Sequence, residues 1–332
     1  MKLKAFFVLC TLYTGVANYA QQTLDVNPQP GPLAFVVEAM SPVFKVPVKK
    51  VAWIMDKDTL DVYHLDKKGN EVLRYNYYNN KPSSTTVTKY TNGLKTETRY
   101  TTKTDEVVTT FKYNADGNYT EWGKKTTYVN KQPSSGDFKW LFEYDAKGNV
   151  IKKYLEDAAK VKTLNAEYTY DDANKVQKAV INGQWISVFK YDDKGHLKSR
   201  AESLNDQVAH TFQYDYDTAG NLEAQYTKYY NVVYTYEGGK MKTCNYTYSK
   251  DETKEGITFF YEGDKLIKAM ITRNGATSFS PFIIPRQYLN GVELGFELQV
   301  EFVYDSHNNI TDIKYFVNDV YKYNSRYAYE YY

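Results

Sequence analysis

One six-residue motif recurs along nearly the whole chain and limits what the chain can fold into. Its fullest copy is Tyr144-Asp145-Ala146-Lys147-Gly148-Asn149, which the apolar Val150 follows. An Asp after the Tyr can accept backbone N–H groups two residues on, and Gly and Asn tolerate the positive φ of a tight turn. Because alternating aromatic and apolar residues flank the motif, each copy predicts a turn between two β-strands.

Copies of the motif extend from the first third of the chain to its end. They begin at Leu65, Tyr90, Tyr113, Tyr144, Tyr170, Tyr191, Tyr216, Tyr236, Tyr261 and Tyr304. Most begin about 20 to 30 residues after the previous copy, which fits two strands of roughly eight residues and two turns. We assign the following turn residues to the structural framework: Tyr113, Tyr144, Asp145, Gly148, Asn149, Tyr191, Asp192, Gly195, Tyr216, Asp217, Gly220, Asn221, Tyr304 and Asp305.

The turns at the opposite ends of the hairpins do not share this motif. They include Asn79-Asn80-Lys81-Pro82 and Asn182-Gly183, which differ from each other in sequence. In a repeat protein the variable end is where specific contacts are expected. The sequence therefore predicts a uniform end that builds the fold and a variable end that binds.

The motif resembles the YD repeats of the RHS superfamily, with Tyr144–Asn149 and Tyr216–Asn221 as the best matches. The resemblance covers residues 51–332 and implies a continuous antiparallel sheet that coils, with the turn tyrosines along one rim. The chain has too few repeats for the closed shell of large family members, it lacks the Asp-Pro of their self-cleavage region, and no toxin domain is expected. We therefore expect an all-β, antiparallel β-hairpin repeat array that forms a curved, open RHS/YD-type sheet or a short solenoid.

The N-terminal 50 residues lack the repeat. Lys2 and Lys4 precede a short apolar run, so residues 1–20 are predicted to be a signal peptide. The run is too short to span a bilayer, and the bulky Leu9 before Cys10 argues against a lipoprotein. Residues 21–50 are predicted to be a lead-in and N-terminal cap, followed by the repeat domain at 51–332. We expect export to the periplasm or to the cell surface.

The repeat is interrupted at about residues 276–300. Pro281 and Pro285 exclude a regular central strand between them. Five large side chains lie in this segment and are candidate partner-binding residues: Phe279, Phe282, Ile283, Ile284 and Tyr288. The segment is predicted either to plug the concave face of the sheet or to form an exposed loop that binds a partner.

Composition narrows the classes of partner. The 42 basic and 40 acidic residues give a net charge of +2, which offers no electrostatic case for binding nucleic acid. The 35 tyrosines favour strands over helices. Without the signal peptide Cys244 is the only cysteine, so an intramolecular disulfide is excluded, and Cys244 is predicted to be a buried apolar residue.

The sequence contains no recognisable catalytic or cofactor motif. The four histidines lack metal-ligand spacing, and neither a nucleophile elbow nor a phosphate-binding loop occurs. We therefore predict a non-enzymatic exported scaffold or binding protein without a cofactor. It would be an accessory subunit of a cell-envelope or outer-membrane complex of a Gram-negative bacterium, with protein partners and with edge strands available for homo-oligomers.

Two alternatives remain open. Four tryptophans, Trp53, Trp122, Trp140 and Trp185, are candidates for stacking on sugar rings, which would make the protein a carbohydrate-binding module. A glycan-acting enzyme is the other alternative. Such an enzyme needs two carboxylates across a cleft, and the 40 acidic residues of the sequence do not single out a pair.

Overall fold

The computed structural model describes residues 46–55, 57–128, 136–249, 254–274 and 296–332. The regular elements in these ranges are 22 β-strands, as the alternating sequence predicts. They are β1 Val48–Met55, β2 Asp58–Leu65, β3 Glu71–Tyr78, β4 Lys81–Thr91, β5 Leu94–Thr101, β6 Asp105–Tyr113, β7 Tyr119–Tyr128, β8 Phe138–Tyr144, β9 Val150–Asp157, β10 Lys162–Tyr170, β11 Val176–Ile181, β12 Trp185–Tyr191, β13 Leu197–Leu204, β14 Gln207–Tyr216, β15 Leu222–Thr227, β16 Tyr230–Glu237, β17 Lys240–Tyr248, β18 Lys254–Glu262, β19 Lys265–Asn274, β20 Phe296–Tyr304, β21 Ile310–Val317 and β22 Val320–Tyr331.

Three sequence predictions lie outside the described residues. They are the signal peptide, most of the lead-in and the partner-binding segment at 279–288. The last residues of the predicted lead-in belong instead to the sheet, because β1 starts at Val48, whose side chain is buried.

The chain divides into two compact units. We call Pro47–Phe189, Glu202–Ala209 and Tyr329–Tyr332 the N-terminal unit. The C-terminal unit comprises the described residues of Lys190–Ala201 and His210–Ala328.

The expected open sheet is wrong. The 22 strands belong to one antiparallel sheet, and its first strand, β1, also pairs with its last strand, β22, so the sheet is closed and not open. Within the N-terminal unit, Tyr332 N donates to Pro47 O at 3.3 Å and Lys49 Nζ lies 2.6 Å from Glu330 Oε1. Because the first and last strands are paired to each other, the homo-oligomer predicted through free edge strands loses its physical basis.

The repeated turn has the geometry that its sequence predicts. Asp145 Oδ1 accepts the backbone N–H groups of Lys147 and Asn149 at 2.9 and 2.8 Å, and Gly148 has a φ of +84°. These hydrogen bonds, with one from the Asn149 side chain, hold the pKa of Asp145 below its usual value. The same carboxylate-to-backbone bonds recur at Asp66, Asp171, Asp192, Asp217 and Asp305.

The tyrosine of the repeat connects consecutive turns. Its hydroxyl donates to a backbone carbonyl near the start of the strand that follows the preceding turn, as Tyr170 Oη does to Val150 O at 2.8 Å. The other donor and acceptor pairs are Tyr90 and Glu71, Tyr113 and Lys95, Tyr144 and Tyr119, Tyr216 and Leu197, Tyr236 and Leu222, and Tyr304 and Leu266. Tyr332 makes a similar bond, to the carbonyl of Leu65.

A β-bulge accompanies this tyrosine at most copies. The register shifts between Glu143 and Tyr144, between Thr169 and Tyr170, and between Val303 and Tyr304, for example. A bulge inserts one unpaired residue and redirects the side chain beside it. The bulge therefore directs the tyrosine hydroxyl towards the preceding repeated turn instead of leaving it on a face of the sheet.

The two units bury different kinds of side chain. In the C-terminal unit most buried side chains are apolar, and those of Ile257, Phe259, Val300 and Ile313 are fully buried. Cys244 is buried among such residues, as predicted, and burial raises its pKa. Among the described residues of this unit, the buried polar side chains are Gln225, Glu255, Asn309 and Ser325. In the N-terminal unit the buried side chains include many polar ones: Asp61, Ser84, Thr86, Thr88, Thr126 and Lys153.

Tyr170→Phe tests the tyrosine connection. We expect a loss of about 1 kcal/mol in the free energy of unfolding, because the Val150 carbonyl loses a partly buried hydrogen bond. Urea denaturation measures it. Tyr78→Phe, at an exposed tyrosine beside a variable turn, is the control and should be neutral. Equal stabilities for the two variants would contradict a role of the hydroxyl in joining the turns.

Candidate functional site

Exposed apolar side chains concentrate at the variable hairpin ends. In the N-terminal unit six such residues flank the variable turns, and we call them the apolar rim: Tyr78, Tyr100, Tyr128, Val161, Trp185 and Val208. Tyr78, Val161 and Val208 expose 74%, 57% and 69% of their surface. Single exposed apolar residues are common on proteins, but a row of them at successive turns at one end of a sheet is characteristic of a contact surface.

Hydrogen bonds between neighbouring turns fix the rim. Asn80 accepts the N–H of Thr59 at 2.7 Å and donates to Asp58 at 2.7 Å, which joins the first two variable turns. Asn165 and Asn182 are joined in the same way, with their amide groups 2.8 Å apart. A rim held by such bonds loses little conformational entropy when a partner binds.

Two of the variable turns in the N-terminal unit are tight two-residue connections. Asn79 and Asn80 have φ values of 50° and 56°, and Asn205 and Asp206 have 49° and 63°. Two successive residues with positive φ define the type I′ turn, which matches the twist of the flanking strands. Tyr78 and Val208, which lie beside these two turns, are therefore presented at fixed positions.

The four tryptophans do not form one surface. Trp122 and Trp140 are cross-strand neighbours on β7 and β8, and Trp140 is only 8% exposed. Trp53 pairs with Asp61 on the adjacent strand, and Trp185 lies on the apolar rim. The geometry therefore brings together one pair of the candidate glycan-stacking residues and leaves Trp53 and Trp185 elsewhere.

A buried lysine covers one of these rings. Lys153 Nζ lies 3.8 Å from the ring centroid of Trp140 and 6.0 Å from that of Phe142, and the side chain is 2% exposed. Burial lowers the pKa of Lys153 to about 8. Its neighbour Lys152 is half-exposed and lies 3.3 Å from Glu167.

The exposed face of β6–β9 carries a ladder of ion pairs. Lys112 lies 3.1 Å from Glu121, Lys139 lies 3.5 Å from Glu121, and Lys139 and Lys160 lie 4.0 and 3.4 Å from Glu156. By strand alternation this face is opposite to the one that carries Trp122 and Trp140. Charged side chains at this density suit a face that contacts water.

Among the described residues, no group of three or more His, Cys, Asp or Glu side chains is arranged to hold a metal ion. No helix in those segments has the length and apolarity that crossing a bilayer requires.

The sequence predicts the variable turns but does not single out the exposed apolar residues beside them. The prediction rested on the turn residues Asn79-Asn80 and Asn182-Gly183, whereas the exposed apolar groups are their neighbours Tyr78 and Trp185. The available signal was an aromatic or β-branched residue directly beside each variable turn.

Comparison with known proteins gives only weak similarities. No protein-family model matches the chain, and no curated protein sequence does. The structure of TcdB2-TccC3-TEV matches at a TM-score of 0.31 with 13% identity, over 80% of this chain and 15% of that chain. The Photorhabdus luminescens Tc holotoxin pore matches at 0.30 with 12% identity, over 80% of this chain and 16% of that chain.

A porin-like protein from Bacteroides uniformis matches at a TM-score of 0.29 with 10% identity, over 86% of this chain and 97% of that chain. Similarity at this level assigns neither family nor activity. The relation to the RHS superfamily therefore remains a resemblance, which the repeated turn carries.

Lys153→Met tests the buried charge. At pH 7 the variant should be more stable than wild type by roughly 1–3 kcal/mol, because the folded state holds a charge whose pKa burial has lowered. Above about pH 8 the Lys153 ammonium group loses its proton in the folded state, while the unfolded chain keeps it. The stability of the wild type therefore increases as the pH rises. The difference between the two proteins should fall by more than half by about pH 9.5.

Denaturant unfolding between pH 7 and about pH 9.5 measures the difference in stability between the two proteins and its change with pH. Comparing wild type with the variant removes the titration of the tyrosines, which both proteins share. Lys152→Met, at the half-exposed neighbour, is the matched control and should show neither effect. A pH-independent difference for Lys153→Met would contradict the lowered pKa.

Proposed function

We propose that this protein is a non-enzymatic exported scaffold, an accessory subunit of a protein complex in the cell envelope, which binds its protein partner through the apolar rim. The observation that carries the proposal is the rim itself. Six large apolar or aromatic residues flank successive turns of the N-terminal unit, on a framework that hydrogen bonds hold in place. Exposed Tyr and Trp side chains are the residue types that dominate binding energy at protein interfaces.

Two further observations support an exported protein that works in water. The basic and apolar N-terminal segment has the pattern of a signal peptide. The ion-pair ladder of β6–β9 suits contact with water, in the periplasm or outside the cell. The carbohydrate-binding alternative has less support, because stacking needs an exposed ring face and Trp140 is buried beneath Lys153.

The proposal is tested with the double variant Val161→Asp, Val208→Asp. Both side chains are largely exposed, so the fold should be unaffected, while a charge at each of two rim positions should weaken partner binding roughly tenfold or more. Cross-linking and affinity purification from detergent-solubilised envelopes of the producing cells measures the recovered partner.

Val87→Asp provides the matched control, because Val87 is an exposed valine in the middle of β4 and away from the rim. It should recover the partner as wild type does. Recovery of wild-type protein alone, or undiminished recovery with the double variant, would refute the scaffold proposal or the role of the rim.

A further inference from the structure

The N-terminal unit contains a polar cluster that neither the repeat nor the apolar rim explains. Strand pairing places Tyr63, Arg74 and Thr86 side by side across β2, β3 and β4. The adjacent row contains Trp53, Asp61 and Asn76. Because residues two apart on a strand share a face, both rows lie on the same face of the sheet.

This face is largely buried, but it reaches solvent at one side. Asp61, Tyr63 and Thr86 are 1%, 2% and 3% exposed. The Arg74 side chain is 14% exposed, and Tyr100, the cross-strand neighbour of Thr86, is 37% exposed. A ligand would therefore approach along the row from Tyr100 towards Arg74.

Several hydrogen-bond donors in the cluster are not used by the protein. Among the described residues, Trp53 Nε1, Arg74 Nε, Thr86 Oγ1 and Thr98 Oγ1 are buried and have no hydrogen-bond partner. Each of these groups can donate a proton, and two of them can only donate. Buried donors without acceptors are rare in folded proteins because they lose their bonds to water.

The carboxylates of the cluster do not satisfy these donors. Asp61 accepts the side-chain amide of Asn76, whose own oxygen accepts the Ser84 hydroxyl at 2.9 Å. The Glu71 carboxylate is 3.9 Å from Arg74 Nε, which is too long for a hydrogen bond. Burial raises the pKa of Asp61 and of Glu71, and the charge of Arg74 acts against that rise.

We propose that the face around Arg74 binds an oxyanion, with the Arg74 guanidinium as its charged partner and the hydroxyl of its cross-strand neighbour Thr86 as a further donor. Arginine presents a planar fork of donors that matches carboxylate, sulfate and phosphate oxygens. The oxyanion is either a free inorganic ion or the carboxylate of an acidic sugar. This inference does not rest on the proposed scaffold function, because neither Arg74 nor Thr86 belongs to the apolar rim; Tyr100 of the rim is the cross-strand neighbour of Thr86.

Calorimetric titration of the full-length folded protein at constant ionic strength tests the inference. The probes are sulfate, phosphate, glucuronate and, as the uncharged sugar, glucose. We expect saturable binding of at least one oxyanion and none of glucose. Tighter binding of glucuronate than of sulfate or phosphate would identify the acidic sugar, and the reverse order would identify the inorganic ion.

Variants identify the site. Arg74→Gln and Thr86→Val should each weaken oxyanion binding roughly tenfold or more, because each removes a donor. Arg99→Gln is the matched control, because Arg99 lies on the opposite face and pairs with Glu106 at 2.6 Å. It should bind as wild type does.

Thr86→Val also separates ligand binding from a structural role. An unused buried hydroxyl costs stability, so this variant should have a higher melting temperature without ligand and lose the binding, even if Arg74→Gln fails to fold. Absence of oxyanion binding by wild type, equal binding by Arg74→Gln, or binding of glucose as tight as that of glucuronate would overturn the proposal. A lower melting temperature for Thr86→Val would overturn it as well, because the hydroxyl would then be satisfied within the fold.

Discussion

The hydrogen bond from a tyrosine hydroxyl to the backbone near the preceding turn is the interaction on which the uniform end of the sheet depends. An isolated hairpin is marginally stable in water, so repeats need bonds that extend beyond each turn. Tyr170 makes such a bond to Val150, and Tyr332 makes its equivalent with Leu65. Because Asp145 and its counterparts use their carboxylates within the same turns, this end has its polar groups committed to the fold, and ligand contacts are expected elsewhere.

Strand alternation places very different chemistry on the two faces of the N-terminal unit. Glu121 and Trp122 are neighbours in sequence, yet the first belongs to the ion-pair ladder and the second pairs with Trp140. The same alternation separates Arg99, which pairs with Glu106, from Arg74, which lies in the buried cluster. One arginine is thus part of a solvated surface, and the other faces donors that the protein leaves unused.

The sequence predicted the local structure well because the repeated turn carries its own geometry. Asp145 and Gly148 have the roles that their residue types imply, and Asn174 replaces glycine with a φ of 67°. Closure of the sheet was not predictable, because alternation within a strand shows which residues share a face and not which distant strand pairs with it. The pairing of β1 with β22 depends on contacts such as that of Lys49 with Glu330, which are 281 residues apart.

The buried polar residues were missed for a related reason. Lys152 and Lys153 are identical in type and adjacent, yet one pairs with Glu167 and the other is buried over Trp140. In the sequence, Asp61 and Arg74 likewise resemble surface residues of alternating strands. Only the structure shows that their side chains are buried. A core built for stability alone would carry apolar side chains at these positions, as the C-terminal unit does at Ile257 and Phe259. The buried polar cluster around Arg74 therefore requires a reason other than stability, and binding of a polar ligand supplies one.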